Sequence, residues 1–455
     1  MNRKILDLAI PNIISSISVP FIGIVDIALM GRISSPDYIG GVALGSLILN
    51  FIYWGFGFLR FGTSGFTSQS LGRRDLEETF HTLIRAVALG LISGIILILL
   101  QQPLSWAGFR ILKGEPNVEN LAEMYFRIKI WAAPASLIQF GMFGWFIGMQ
   151  NSRIPMAVSV TANIVNILCS LLFVLLLKMD IRGVALGYLA GQYTGLAMVI
   201  FFYFKHFSKL RKYWNLRISL DKTKVVEFMN MNKDIFIRTM CLIFVFSFFT
   251  AVSASSDVNN SGKETLLAVN SVLMQFFMFF SFVIDGFAQA AEAMAGKFIG
   301  AFDVGKLRKL IRISFYWGAG SSLIFTVTYL LAGENIFRLL TNNDNIISNA
   351  RPYFFWISII PLVSFAAFLW DGIYIGATAG KAMRNSMLIS SLLVFFPVYY
   401  VLQMYIGNHG LWLAFILFMI SRTATMWIMA SSAIFKPLKL QVPLESGRSS
   451  QGLQV

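Results

Sequence analysis

Twelve apolar runs, several of them longer than the hydrocarbon layer is thick, leave this chain few architectures. They fall at 8–30, 40–68, 83–104, 121–149, 155–177 and 183–204, then, past a basic stretch, at 235–255, 265–296, 311–332, 348–377, 385–406 and 410–434. A membrane-crossing helix needs roughly 20 predominantly apolar residues, and in lipid only helices or closed barrels satisfy every backbone polar group. Charged residues make up only 13% of the 455, against about a quarter in soluble domains. The chain is therefore expected to be an all-α integral membrane protein of twelve spans.

The formal charge of +15 would suit a nucleic-acid partner if it were pooled on one surface. Instead it is spread between the apolar runs, where basic residues record topology, so no nucleic acid is expected. Of the 37 Lys and Arg, 25 fall on the side of the N-terminus, 8 on the other, and 4 within runs (Arg60, Arg127, Lys129 and Arg422). This bias predicts a multi-pass protein of the cell inner (cytoplasmic) membrane with both termini cytoplasmic. Arg127 and Lys129 are assigned to the outer interface, where long basic side chains snorkel. The first run is too long for a cleavable signal, contains Asp26, and lacks an A-x-A-type site. Cys169 and Cys241 lie within apolar runs and read as small core residues.

The two halves resemble each other at an offset of about 227 residues. Asp7-Leu8-Ala9-Ile10 matches Asp234-Ile235-Phe236-Ile237, and Leu59-Arg60 matches Ile284-Asp285. Gly72-Arg73-Arg74-Asp75 matches Gly300-Ala301-Phe302-Asp303, Pro134 matches Pro361, and Gly148 matches Gly376. Gly183-Val184-Ala185-Leu186 matches Gly410-Leu411-Trp412-Leu413. Six spans per copy is an even number, so both copies enter the membrane from one side and form parallel repeats about an axis along its normal. The expected division is an N-lobe at 1–205, a basic cytoplasmic linker at 206–233, a C-lobe at 234–435 and a cytoplasmic tail at 436–455. The linker is read either as a basic amphipathic segment on the leaflet or as a plain connection.

An ionisable group at membrane depth is costly and asks for a reason. Asp26 lies deep in the first span after Pro11 and Pro20, which free backbone carbonyls and allow bending. Its carboxylate is either a proton or Na⁺ site coupled to that bend, or a buried structural acid. In the fifth span Asn163, Asn166 and Ser170 share one helical face, and either complete a cation or proton site with Asp26 or bond helix to helix. Asp285, Gln289 and Glu292 share a face of the eighth span, and Asp371 lies in the tenth. By the repeat, Arg60 and Asp285 are equivalent positions of opposite charge that can face each other across a central cavity. Asp285 and Asp371 either attract a cationic substrate or form structural ion pairs, whereas Glu292, near the cytoplasmic end, reads as structural. No Walker A loop, HExxH motif or Cys/His cluster occurs, so no enzyme, nucleotide, cofactor or metal site is expected and transport has to run on an ion gradient.

The stretch Val19-Pro20-Phe21-Ile22-Gly23-Ile24-Val25-Asp26-Ile27-Ala28-Leu29-Met30-Gly31 resembles the first helix of DinF-type multidrug and toxic compound extrusion (MATE) transporters. Supporting likenesses are Gly40-Gly41-Val42-Ala43-Leu44-Gly45, Ala133-Pro134-Ala135-Ser136-Leu137, Ala268-Val269-Asn270-Ser271-Val272-Leu273-Met274, Asp285-Gly286-Phe287-Ala288 and Asp371-Gly372-Ile373-Tyr374-Ile375-Gly376-Ala377-Thr378. The resemblance runs from about residue 5 to 435. It implies two six-helix lobes around a central cleft, working as a monomer among membrane lipids to antiport amphipathic small molecules against H⁺ or Na⁺. It further implies that Asp26 and Asn166 belong to a coupling-ion site and Asp371 to a substrate site. Two positions depart from the family pattern, Ser170 where relatives have an Asp and Tyr188 where a Thr is expected. Loss of that carboxylate leans the expectation towards H⁺. The alternative is a lipid-linked saccharide flippase, for which Arg60, Arg127 and Arg422 would serve a diphosphate; a membrane enzyme or receptor is the remaining, weaker reading.

Overall fold

The structure, a computed structural model, describes residues 1–31, 35–112, 114–255, 265–341 and 343–441, so the expected tail beyond 441 lies outside the described residues. Twelve of its helices are long and apolar enough to cross a membrane. They are α1 (Asn2–Met30), α2 (Asp37–Gly72), α3 (Leu76–Leu99), α4 (Pro116–Gly148), α5 (Arg153–Leu176) and α6 (Asp180–Tyr213) in the first half. The second half holds α7 (Lys222–Ala254), α8 (Leu266–Gly300), α9 (Val304–Leu340), α10 (Asp344–Gly376), α11 (Gly380–Ile406) and α12 (Asn408–Leu438). An even number of crossings returns Leu438 to the side of Asn2, here the proximal side; the other is distal.

The repeat seen in the sequence is written into the turns. Arg74 and Phe302 adopt left-handed backbone (φ 62° and 57°), as do Gln150 and Thr378 (φ 63° and 51°) and Asp180 and Gly407 (φ 47° and 53°). Each pair holds equivalent places in the two halves. Asp75 and Asp303 then cap α3 and α9 by accepting from the amides of Glu78 and Lys306, satisfying donors that a helix start leaves open. A widened, π-helical stretch also recurs, Leu172–Leu176 in α5 and Ile389–Phe395 in α11.

Burial follows the two halves as well. Two apolar clusters belong wholly to the first half, one around Leu29, Tyr125 and Val184 and one around Phe80, Trp145 and Tyr203. A third, around Phe249, Phe277 and Trp412, belongs wholly to the second. Only the cluster that joins Ile5, Leu8 and Ala9 to Ile284, Phe287 and Tyr374 bridges them. The result is two pseudo-symmetric six-helix lobes around a central cleft.

The lobes lock together towards the proximal side. Gly72 of α2 and Gly300 of α8 pass so closely that a Cβ on Gly72 would stand 2.2 Å from the Lys297 carbonyl oxygen, and one on Gly300 2.0 Å from that of Gln69. Beside them Gln69 donates to the Gly376 carbonyl (2.9 Å) and Gln150 to that of Ala293 (2.7 Å). Contact continues to mid-depth, where Phe58 meets Phe236 edge-on at 6.0 Å between ring centroids. Further towards the distal end Val19, Phe21 and Ile24 of α1 and Phe244 of α7 are exposed.

Several helices overrun the apolar runs that predict them. α6 continues to Tyr213 and α7 begins at Lys222, so most of the stretch expected as a linker at 206–233 is helix. Backbone hydrogen bonding does not stop where lipid ends, and basic side chains solvate the protruding turns. The short connection is held down at Ser219, whose Oγ lies 2.7 Å from His81 Nδ1 and whose carbonyl accepts from Arg85 Nε at 2.7 Å.

Candidate functional site

α1 turns one carboxylate inward along a helix whose neighbouring side chains face out. Asp26 is 4% exposed while Ile24 and Ile27 are 62% and 48% exposed. Pro11 and Pro20 both lie within this helix, which the structure leaves continuous. It packs on α5, where Asn163 Nδ2 donates to Ser18 Oγ at 2.8 Å and Ser170 Oγ donates to Asn166 Oδ1 at 3.2 Å. Both helices start on the proximal side, so Asp26, eight residues past Ser18, and Ser170, seven past Asn163, advance by about 12 and 10 Å at 1.5 Å per residue. That register brings Asp26 and Ser170 to nearly one depth. No hydrogen bond joins them among the described residues, and the buried Asn166 Nδ2 has no partner there either.

Lys129 corrects an expectation. It is 7% exposed and buried within the first lobe, not snorkelling at an interface; only Arg127 lies outside, paired with Glu123 at 2.8 Å. The reason is local. Lys129 precedes a tight turn at Ile130–Ala132, on the face of α4 that points inward with Tyr125. Its Nζ donates to the Tyr125 hydroxyl at 2.7 Å and stands 4.2 Å from the centroid of the Tyr188 ring. Tyr188 reaches it because α6 lies tight on α5 there: a Cβ on the adjacent Gly187 would stand 2.2 Å from Ser170 Oγ. Lys129 is the cationic group acting on Asp26, yet no ion pair joins the two among the described residues. A carboxylate and an ammonium share the pocket without closing on each other.

A second set of charges lies on α7, α8, α10 and α12 of the second half, with Arg60 of α2 acting on it. Asp371 of α10 accepts from Arg422 Nη2 of α12 at 2.6 Å and from Arg238 Nη2 of α7. Arg422 is 1% exposed, with its guanidinium 5.5 Å from the Phe418 ring. Asp285 of α8 has no direct ion pair among the described residues; the cationic group acting on it most strongly is Arg60, followed by Arg238. Glu292, 2% exposed, also has Arg60 as its leading charged neighbour. Arg60 and Asp285 therefore do share the central region, though not as a contact pair. Three acids and three arginines balance formally at membrane depth.

Arg238 went unrecognised in the sequence because it lies just inside the apolar run, among loop charges. α7 starts several turns earlier, at Lys222, and that length is what carries Arg238 into the protein. Among the described residues no group of three His, Cys, Asp or Glu is arranged to hold a metal ion.

The MatE family model matches residues 11–172 and again 236–401, two stretches set apart by the spacing of the repeat. Over 430 residues the chain is 34% identical to DNA damage-inducible protein F of Escherichia coli (strain K12), covering 92% of this chain and 90% of that one. Multidrug and toxin extrusion protein 1 of Homo sapiens is 24% identical, over 84% of this chain and 64% of its own length. Among solved structures, a MOP superfamily transporter from Pyrococcus furiosus has a TM-score of 0.85 at 18% identity, covering 96% of both chains. A MATE transporter from Vibrio cholerae has 0.81 at 16% identity, covering 97% of both. Fold and relatives together define a multi-pass membrane transporter of the multidrug and toxin efflux class, not an enzyme. The chain belongs to the MATE family, in its DinF-like branch.

Proposed function

We propose that this transporter expels amphipathic organic solutes in exchange for protons by alternating access, and that Asp26 carries the proton. The observation that supports this most is a buried Asp26, with no hydrogen bond or ion pair among the described residues, acted on by the buried ammonium of Lys129. A coupling group has to gain and lose its cation, which a permanent salt bridge would prevent. Lys129 weighs against Na⁺. The pocket offers one carboxylate, already offset by a tethered cation, plus the amide of Asn166 and the hydroxyl of Ser170. At an effective dielectric near 20, two like unit charges held in one pocket repel by roughly a few kcal/mol. A proton is different because it bonds covalently to the carboxylate and removes its charge. The pocket then changes from neutral to positive, and α1, no longer attracted to Lys129, is free to shift about Pro20 against Asn163.

Asp285 and Arg60 are proposed to meet the substrate, one group of each sign within apolar walls, with Asp371 forming the floor between its two arginines. That same bonding argues against a lipid-linked saccharide flippase, since a diphosphate wants several free guanidiniums and Arg238 and Arg422 are already held. The Lys and Arg bias supports a proximal side facing the cytoplasm, in the inner membrane, and the cleft then opens outward. The functional unit is taken as a monomer.

Proteoliposomes separate these readings. A pH gradient alone should drive efflux of a fluorescent cationic dye, and a Na⁺ gradient alone should not. Equal efflux on Na⁺ alone would overturn proton coupling, and movement of lipid-linked sugars without dye would select the flippase.

A further inference from the structure

A cavity of about 360 Å³ opens at the proximal seam, lined from both lobes: Lys4 and Asp7 of α1, Gln150, Ser152 and Arg153 of the α4–α5 turn, and Lys297 of α8. Ser152 caps α5 yet makes no side-chain bond to the helix it starts. Its hydroxyl is buried, 1% exposed, and has no hydrogen-bond partner among the described residues. Lys4, Arg153 and Lys297 form no ion pair with any described carboxylate, and Lys4 is the like charge that presses on Lys297. Asp7 offsets one of the three. Two net positive charges and an unused buried hydroxyl therefore lie at one hollow; the helix start beside them is largely satisfied, with the Ile154 amide donating to Asn151 Oδ1 at 3.2 Å and no N–H at Pro155.

We propose that this cavity binds a phosphate-bearing anion, which ties Lys4 and Arg153 of the first lobe to Lys297 of the second. Bound there, beside the Gln150–Ala293 bond that already crosses the seam, the anion holds the proximal side closed and favours the distally open state. The helix start at Arg153 and the position of Lys297 in the last turn of α8 set the hollow at headgroup depth. The anion can thus come from the phosphodiester of an anionic lipid or from free phosphate. The proposal rests on the seam alone and holds whichever ion drives transport.

The test is thermal stabilisation of the full-length transporter in detergent, titrated with phosphatidylglycerol, phosphatidylcholine or inorganic phosphate. Phosphatidylglycerol should stabilise it well beyond phosphatidylcholine. A response to inorganic phosphate as well would identify free phosphate as sufficient, and none would identify the lipid headgroup. Arg153→Gln and Lys297→Gln should each weaken the response roughly tenfold, whereas Lys306→Gln, an exposed cation that does not line the cavity, should leave it unchanged. Phosphatidylcholine acting as well as phosphatidylglycerol, or Lys306→Gln losing as much as Lys297→Gln, would show a diffuse basic surface and overturn the site.

Discussion

The Lys129 ammonium lies 4.2 Å from the centroid of the Tyr188 ring and donates 2.7 Å away to the Tyr125 hydroxyl. Two aromatic partners thus steady a cation that would otherwise be costly at membrane depth, and hold it near Asp26 without letting the charges meet.

Removing that cation should change which ion the pocket accepts. Lys129→Gln is expected to slow proton-driven efflux by roughly tenfold, the scale of one lost charge-assisted interaction, and to make transport sensitive to Na⁺. Comparing efflux by wild type and variant with and without external Na⁺ reads both effects. A variant that stays indifferent to Na⁺ would separate Lys129 from ion choice.

Asp371 is bonded to Arg238 and Arg422 at once, so its loss leaves one buried and one part-buried guanidinium unpaired. Breaking a buried pair from one side costs about 3–5 kcal/mol. Asp371→Asn should therefore lower the melting temperature sharply, and adding Arg422→Gln should recover part of the loss, because removal of both partners leaves less uncompensated charge. A double variant whose loss equals the sum of the two single losses would argue against coupling.

The proximal lock depends on two residues without side chains. Gly300→Ala puts a methyl within 2.0 Å of the Gln69 carbonyl, which the backbone can accommodate only by parting. Maleimide labelling of Gln150→Cys, in a background lacking Cys169 and Cys241, should rise in that variant while dye efflux falls. Unchanged labelling would mean that the seam tolerates the methyl.

Asp303 offers a pH signature outside the membrane. Lys306 donates to its carboxylate from Nζ (2.6 Å) and from the backbone (2.8 Å), and these bonds hold its carboxyl below the usual range. A group held low contributes fully above its unfolded value near 4 and loses that contribution as the pH falls further. Asp303 is partly exposed, so the ion pair adds little and the cap dominates. Asp303→Ala should cost about 1 kcal/mol at neutral pH. The gap between variant and wild type in thermal melts should stay level from pH 5 to 8 and narrow below about pH 4.

What could be read from the residues, and what could not, divides along physical lines. Spans and the repeat were legible because lipid enforces apolar length, and because Gly72 to Asp75 and Gly300 to Asp303 encode the same close approach, left-handed turn and cap. Asp26 stood out since an acid in an apolar run is rarely idle. Lys129 and Arg238 did not stand out in the same way. The first needs the tight turn at Ile130–Ala132 to face inward, and the second needs a helix that begins well before its apolar run. The two hydrogen bonds that Asp371 accepts join residues from three spans, and no spacing within one span can reveal them.

The account depends most on a proton moving through Asp26. In proteoliposomes carrying a pH-sensitive dye, addition of substrate to the wild type should release protons in step with its transport, and Asp26→Asn, folded and still able to bind substrate, should release none. Proton release by Asp26→Asn at the wild-type rate would contradict it.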